Sequence, residues 1–211
     1  MFRRLFSPDS DLMIVMTWIT DCIFLSLFWL LGCMPVVTIG ASTAALYDAV
    51  YYGFRRRDKH SWSRFWRSYV GNLRASLLPN IVFLLLLLSG GAAMVQLWNG
   101  AVADGGWMLF AVGAIIGIAL LGVLSLLFPV LSRFDNRFGR LLGNTVRLAL
   151  ANLPRTMALG VLNAVAGWLC LRFILPVFLL PGLVALISSL FVEPILRPYL
   201  PEDFYENYSA E

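Results

Sequence analysis

Residues 75–103 read ASLLPNIVFLLLLLSGGAAMVQLWNGAVA, 29 positions without a charged side chain. About 20 apolar residues in a helix cross a hydrocarbon core about 30 Å thick. Asp104 interrupts the run, and residues 105–132 then add 28 more uncharged positions. Two such runs separated by one acid predict a pair of antiparallel membrane helices joined by a short turn at 100–106. Trp98 and Trp107 flank that turn, as an aromatic belt at a membrane interface does.

Outward from this pair, residues 22–47 and 173–192 are also free of charge, over 26 and 20 positions. Across all 211 residues 60% are hydrophobic and 13% charged, with mean hydropathy +0.80. A soluble domain carries about 45–50% apolar and about 25% charged residues. This composition excludes a soluble enzyme and a disordered chain. The expected fold class is an all-α polytopic membrane bundle forming one integral membrane domain over 1–211. Six crossings are expected at about 12–34, 36–54, 77–99, 107–131, 156–174 and 176–192.

At the start, Arg3 and Arg4 are followed by Pro8, Asp9 and Asp11 before any apolar core, so the first helix is expected to remain as an anchor. The second crossing follows Met34-Pro35-Val36-Val37-Thr38-Ile39-Gly40, where Pro35 and Gly40 break the helix. It also holds Ser42, Thr43 and Asp48, so it reads as a half-polar crossing or an interfacial helix. Charge placement favours a crossing. With six spans and both termini cytoplasmic, fifteen of the sixteen Lys and Arg lie inside and only Arg172 lies outside. Five spans leave thirteen against three. The expected location is a cell membrane, crossed several times.

Two cytoplasmic stretches are basic and amphipathic. In 61–75, Trp62, Phe65, Trp66, Tyr69, Val70 and Leu73 recur at helical spacing, with Arg64, Arg67 and Arg74 off that face. In 133–150 the apolar stripe Phe134, Phe138, Leu141, Leu142, Thr145, Leu148 lies beside Arg133, Arg137, Arg140, Asn144 and Arg147. Both read as interfacial helices whose arginines meet anionic headgroups of the bilayer or a cytoplasmic partner protein. Nothing in this arrangement calls for nucleic acid.

Within the spans, ionisable and amide side chains are candidate functional groups because burying them in lipid is costly. Asp21 lies nine residues into the first span, and Asp48, Asn80 and Asn163 occupy comparable inner-half depths in three others. A polar cluster follows if those four faces converge, serving either as interhelical glue or as an ion-coupled site. Arg172 is expected to snorkel to the headgroups. Cys22, Cys33 and Cys170 lack metal-site or disulfide spacing, and Gly113 with Gly117 reads as a packing face. His60 sits in a basic loop, and no zinc-protease, nucleophile-elbow or P-loop pattern is present, so no catalytic, metal or cofactor residues are expected.

The segment Met34-Pro35-Val36-Val37-Thr38-Ile39-Gly40-Ala41-Ser42-Thr43-Ala44-Ala45-Leu46-Tyr47 resembles the signature of the YesL-like integral membrane proteins. Phe65-Trp66-Arg67-Ser68, the stretch from Phe128 to Asn136, and Leu153-Pro154-Arg155-Thr156 are similar to further family segments, so the likeness runs over most of the chain. The family is a domain of unknown function from bacteria, frequently encoded beside carbohydrate ABC transporters. The resemblance implies a non-enzymatic accessory role near sugar uptake, with an ABC permease or ATPase as partner, and carries no site residues. The alternative from the residues themselves is an autonomous small-solute or ion-coupled transporter using Asp21 and Asp48, which in six spans would call for a homo-oligomer.

Overall fold

The structure is a computed structural model that describes residues 11–55, 60–134, 138–173 and 175–199. Among these every regular element is helical. Seven α-helices follow in order: α1 (Asp11–Cys33), α2 (Ile39–Val50), α3 (Ser61–Asp104), α4 (Trp107–Arg133), α5 (Phe138–Ala151), α6 (Leu153–Arg172) and α7 (Leu180–Leu196). Short 3₁₀ turns precede α2 and α7, and a π-helical turn, Tyr51–Arg55, ends α2.

The break between α1 and α2 is built rather than loose. Thr38 Oγ1 donates to the carbonyls of Gly32 (2.7 Å) and Pro35 (2.8 Å). Asn80 of α3 closes the rest: its Nδ2 donates to the Val36 carbonyl at 3.0 Å, and its Oδ1 accepts from the Gly40 N–H at 3.0 Å. One amide side chain therefore satisfies two backbone groups that the proline–glycine break leaves exposed. Ser42 Oγ donates to the Trp29 carbonyl and Trp29 Nε1 donates to Thr43 Oγ1, fastening α1 to α2 beyond the break.

The expected second crossing, 36–54, takes a different form. Its regular part is α2, 12 residues, and from Gly40 to Val50 every residue except Thr43 is buried. At 1.5 Å per residue α2 is about 18 Å long, well short of a 30 Å core. Ala41, Ala44, Ala45 and Ala49 are fully buried, and these small side chains let α1, α3, α4 and α7 pack around α2. It is a core helix shielded by its neighbours.

The second difference concerns α3. The interfacial helix expected at 61–75 and the crossing expected at 77–99 are one continuous helix of 44 residues, about 66 Å at the helical rise. Pro79 lies inside it, buried, and removes one backbone donor without ending the helix. The second interfacial helix, expected at 133–150, begins at Phe138, because Arg133 closes α4. By length and composition α3, α4 and the segment Leu180–Tyr199 are long and apolar enough to cross a membrane. The α5–α6 pair, bent by 104°, adds a fourth if it counts as one span, and Trp18–Cys33 is apolar but shorter.

At the α3–α4 turn Gly105 has φ 73°, the left-handed conformation that suits glycine at a helix end. Trp98, Trp107 and Phe110 pack edge-on around this turn with centroids 5.4–6.4 Å apart. Gly113 and Gly117 face Leu97 and Met94 of α3, so they serve the α3–α4 contact. The backbones of α4 and α6 approach closely at two glycines. A Cβ on Gly122 would overlap the Thr156 carbonyl, and one on Gly160 would overlap the Ile118 carbonyl. Only glycine allows this crossing.

Replacing Gly160 by Leu therefore drives α4 and α6 apart and lowers stability by about 1–3 kcal/mol or more. Gly143→Ala, at an exposed α5 position with open space around it, keeps or slightly raises stability. Thermal unfolding in detergent checks both; equal melting of Gly160→Leu and the wild type would contradict this packing.

Candidate functional site

Three helices bring charge to one buried point. Arg133 closes α4, Asp48 lies near the end of α2, and Glu193 lies in the last turn of α7. Arg133 Nη1 donates to Asp48 Oδ1 at 3.1 Å and Nη2 donates to Glu193 Oε1 at 3.1 Å. The side chains are 1%, 9% and 8% exposed, so water contributes little. A guanidinium suits this position because its planar fork sends separate donors toward two acceptors.

Tyrosines from α2 and its π-turn enclose the cation. Tyr47 donates its hydroxyl to Glu193 Oε1 at 2.9 Å, and Arg133 Nη1 reaches the Tyr52 hydroxyl at 3.3 Å. The guanidinium carbon stands 4.7 Å from the Tyr51 ring centre and 5.0 Å from that of Tyr52, within range of the ring quadrupole. Arg64 of α3 lies over the other part of this wall, 3.9 Å from the Tyr52 ring centre, and its charge acts on Asp48. Two cations thus stand against two carboxylates. This balance answers the desolvation of buried charge, which unpaired ions do not survive.

Below the ion cluster lies apolar packing: Ala44, Leu126, Leu127, Phe128, Val130, Leu131, Val192, Ile195 and Leu196 form one buried group with Leu141, Leu148 and Leu159. The cluster is therefore at the end of α4 remote from Trp107. The 26 residues between them span about 39 Å.

The four amide and acid residues expected to converge do not do so. Asp48 joins Arg133. Asn80 holds the Val36–Gly40 break, Asn163 Nδ2 donates to the Leu159 carbonyl of its own helix at 2.9 Å, and Asp21 accepts from the Trp62 indole. Each polar group found a nearer partner than the other three. Arg133, expected on the exposed basic surface, is buried because it belongs to the membrane-length α4 and not to the amphipathic helix after it. Arg67, Arg74, Arg140 and Arg147 are exposed, Arg64 is half-buried, and Arg137 lies outside the described residues.

Glu193 was missed in the sequence, although a signal exists. It is the first charge after the uncharged run 173–192, and extending the last span by one turn makes it an intramembrane acid of the kind singled out elsewhere. Arg133 carries the same signal at the end of 105–132.

Removing one partner leaves the others charged and buried. Arg133→Met is expected to cost about 3–5 kcal/mol. The triple variant Asp48→Leu, Arg133→Met, Glu193→Gln removes the three buried charges, leaves only the half-buried Arg64 with its access to water, and keeps an acceptor for Tyr47, so it recovers most of that loss. Unfolding in lipid–detergent micelles separates the outcomes; a triple variant less stable than Arg133→Met would contradict the reading.

Residues 22–97, from within α1 to near the end of α3, match the family model described as "Protein of unknown function, DUF624". The match contains the Pro35–Tyr47 motif, Asp48 and Asn80. No curated protein and no solved structure matches the chain. The family that this region matches is that of the YesL-like membrane proteins, a domain of unknown function.

Proposed function

We propose that the protein is a non-enzymatic accessory component of a bacterial plasma membrane that works through association with a carbohydrate ABC-type permease or its ATPase. The observation that carries the first half is how its buried polar groups are satisfied. Asp48 and Glu193 hold Arg133, and Asn80 holds the broken segment, so the groups that a transport site would offer to a solute are bonded to the protein itself. Discontinuous helices and buried carboxylates do mark transport sites where they line a cavity. Here the break and the carboxylate are closed by side chains of the same chain. The sugar-uptake half of the proposal comes from the resemblance alone.

The topology that goes with this reading has six crossings, the second made by α2 together with its flanking turns (Val36–Thr38 and Tyr51–Arg55) shielded inside the bundle, and both termini in the cytoplasm. It places the Arg133–Asp48–Glu193 cluster at the inner end of the bundle and the Trp98–Trp107 turn at the outer face. In intact cells a cysteine at Ser7 or Ser209 is then shielded from an impermeant reagent, whereas Asp104→Cys is labelled. Labelling at position 7 alone among the termini would establish five crossings.

Gentle solubilisation of the tagged protein from cells growing on oligosaccharides tests the function. A permease or ATPase of the ABC class is expected to co-purify, with Asp48→Asn at wild-type expression still supporting growth. Uptake of a sugar by proteoliposomes holding this chain alone, abolished by Asp48→Asn, would overturn the proposal in favour of a transporter.

A further inference from the structure

α5 divides its surface into three strips. Leu141, Thr145, Leu148 and Ala149 are buried against the bundle. Val146 and Leu150 are 45% and 63% exposed and form a second, apolar strip one turn apart. Arg140 and Arg147 are exposed on a third strip. At 100° per residue the apolar pair and the arginine pair are separated by roughly 90° around the helix. A helix packed on a protein in plain water needs two faces, one buried and one polar. The outward apolar strip beside a basic one is the pattern of a helix lying at a lipid–water boundary.

The chain path agrees independently. α5 meets α6 at 104°, and α6 is the more apolar of the two helices. If α6 runs near the bilayer normal, α5 lies within roughly 15° of the membrane plane. The bend is held by Thr156 Oγ1, which donates to the carbonyls of Ala149 (3.0 Å) and Asn152 (3.1 Å), so the angle belongs to the fold.

We infer that α5 is an in-plane helix seated among phospholipid headgroups, with Val146 and Leu150 in the upper acyl region and Arg140 and Arg147 on the phosphates of anionic lipids. The two arginines are seven residues apart, about 10 Å along the helix, a spacing that fits two neighbouring headgroups. This goes beyond the accessory role and does not depend on it. It also separates α5 from the start of α3, whose Arg67 and Arg74 ride on a continuous long helix.

The test uses the full chain in bilayers of phosphatidylcholine with added phosphatidylglycerol, with Cys22, Cys33 and Cys170 replaced by Ala. An environment-sensitive label on Leu150→Cys is expected to be quenched by lipids brominated on the upper acyl chain, and a label on Asn144→Cys, about 120° around the helix, is not. Spin-labelled phosphatidylglycerol is expected to associate more strongly than spin-labelled phosphatidylcholine. Arg140→Gln and Arg147→Gln each weaken that preference by up to about fivefold, the equivalent of about 1 kcal/mol per basic residue near the surface. Free inorganic phosphate does not compete. A Leu150→Cys label insensitive to acyl bromines, or a double arginine variant with undiminished lipid preference, would overturn the inference and leave the basic strip to a protein partner.

Discussion

A guanidinium with almost no exposure cannot stand in an apolar bundle unless carboxylates come to it, and Arg133 brings two from different helices. Asp48 can reach it only if α2 is inside the bundle, and Glu193 only if the last turn of α7 closes on the end of α4. The rest of the architecture follows from meeting those two conditions. α2 is short and alanine-rich so that four helices can surround it. The proline–glycine break before α2 turns the chain back from α1, and Asn80 satisfies the backbone groups that the turn exposes. Tyr47, Tyr51 and Tyr52 follow Asp48's helix into the π-turn and wall the cation in.

The cluster also shows how polar groups at the end of this bundle hold one another. Both Nη groups of Arg133, the Tyr47 hydroxyl and a carboxylate oxygen each of Asp48 and Glu193 are bonded within the chain. The free chemistry lies outside, on exposed arginines of α3 and α5 and on apolar helix faces suited to lipid. Such a division, with charge neutralised within and basic groups displayed at the rim, fits a protein that sits in a membrane.

Much of this was legible in the amino-acid order. Uncharged runs longer than a bilayer is thick give helices and membrane together, and the Trp98–Gly105–Trp107 turn follows from Asp104 between two such runs. The Pro35–Tyr47 stretch carried the resemblance to the YesL-like proteins, and it lies within the region that the family model matches. What the order hid is burial inside the protein as opposed to burial in lipid. Both call for apolar side chains, so the order of residues does not reveal that four neighbouring helices shield α2. Ends of helices were hidden for a related reason. Arg133 shares a four-and-three spacing with the arginines of α5, yet a charge-free run leads directly into it, and Glu193 falls one residue past a span boundary drawn at Val192. Pairing over 60 and 85 positions in the chain leaves no local trace.

The central claim is that Arg133 is immobilised by Asp48 and Glu193 together. Nitrogen-15 NMR of the protein in lipid, with arginine side chains labelled and Arg133 assigned by its loss in Arg133→Lys, observes this directly. Restricted rotation is expected to give Arg133 two separate Nη resonances in slow exchange, which collapse toward one on replacing either Asp48 by Asn or Glu193 by Gln. A single averaged Nη signal for Arg133 in the unaltered protein, like that of an arginine in water, would contradict the account.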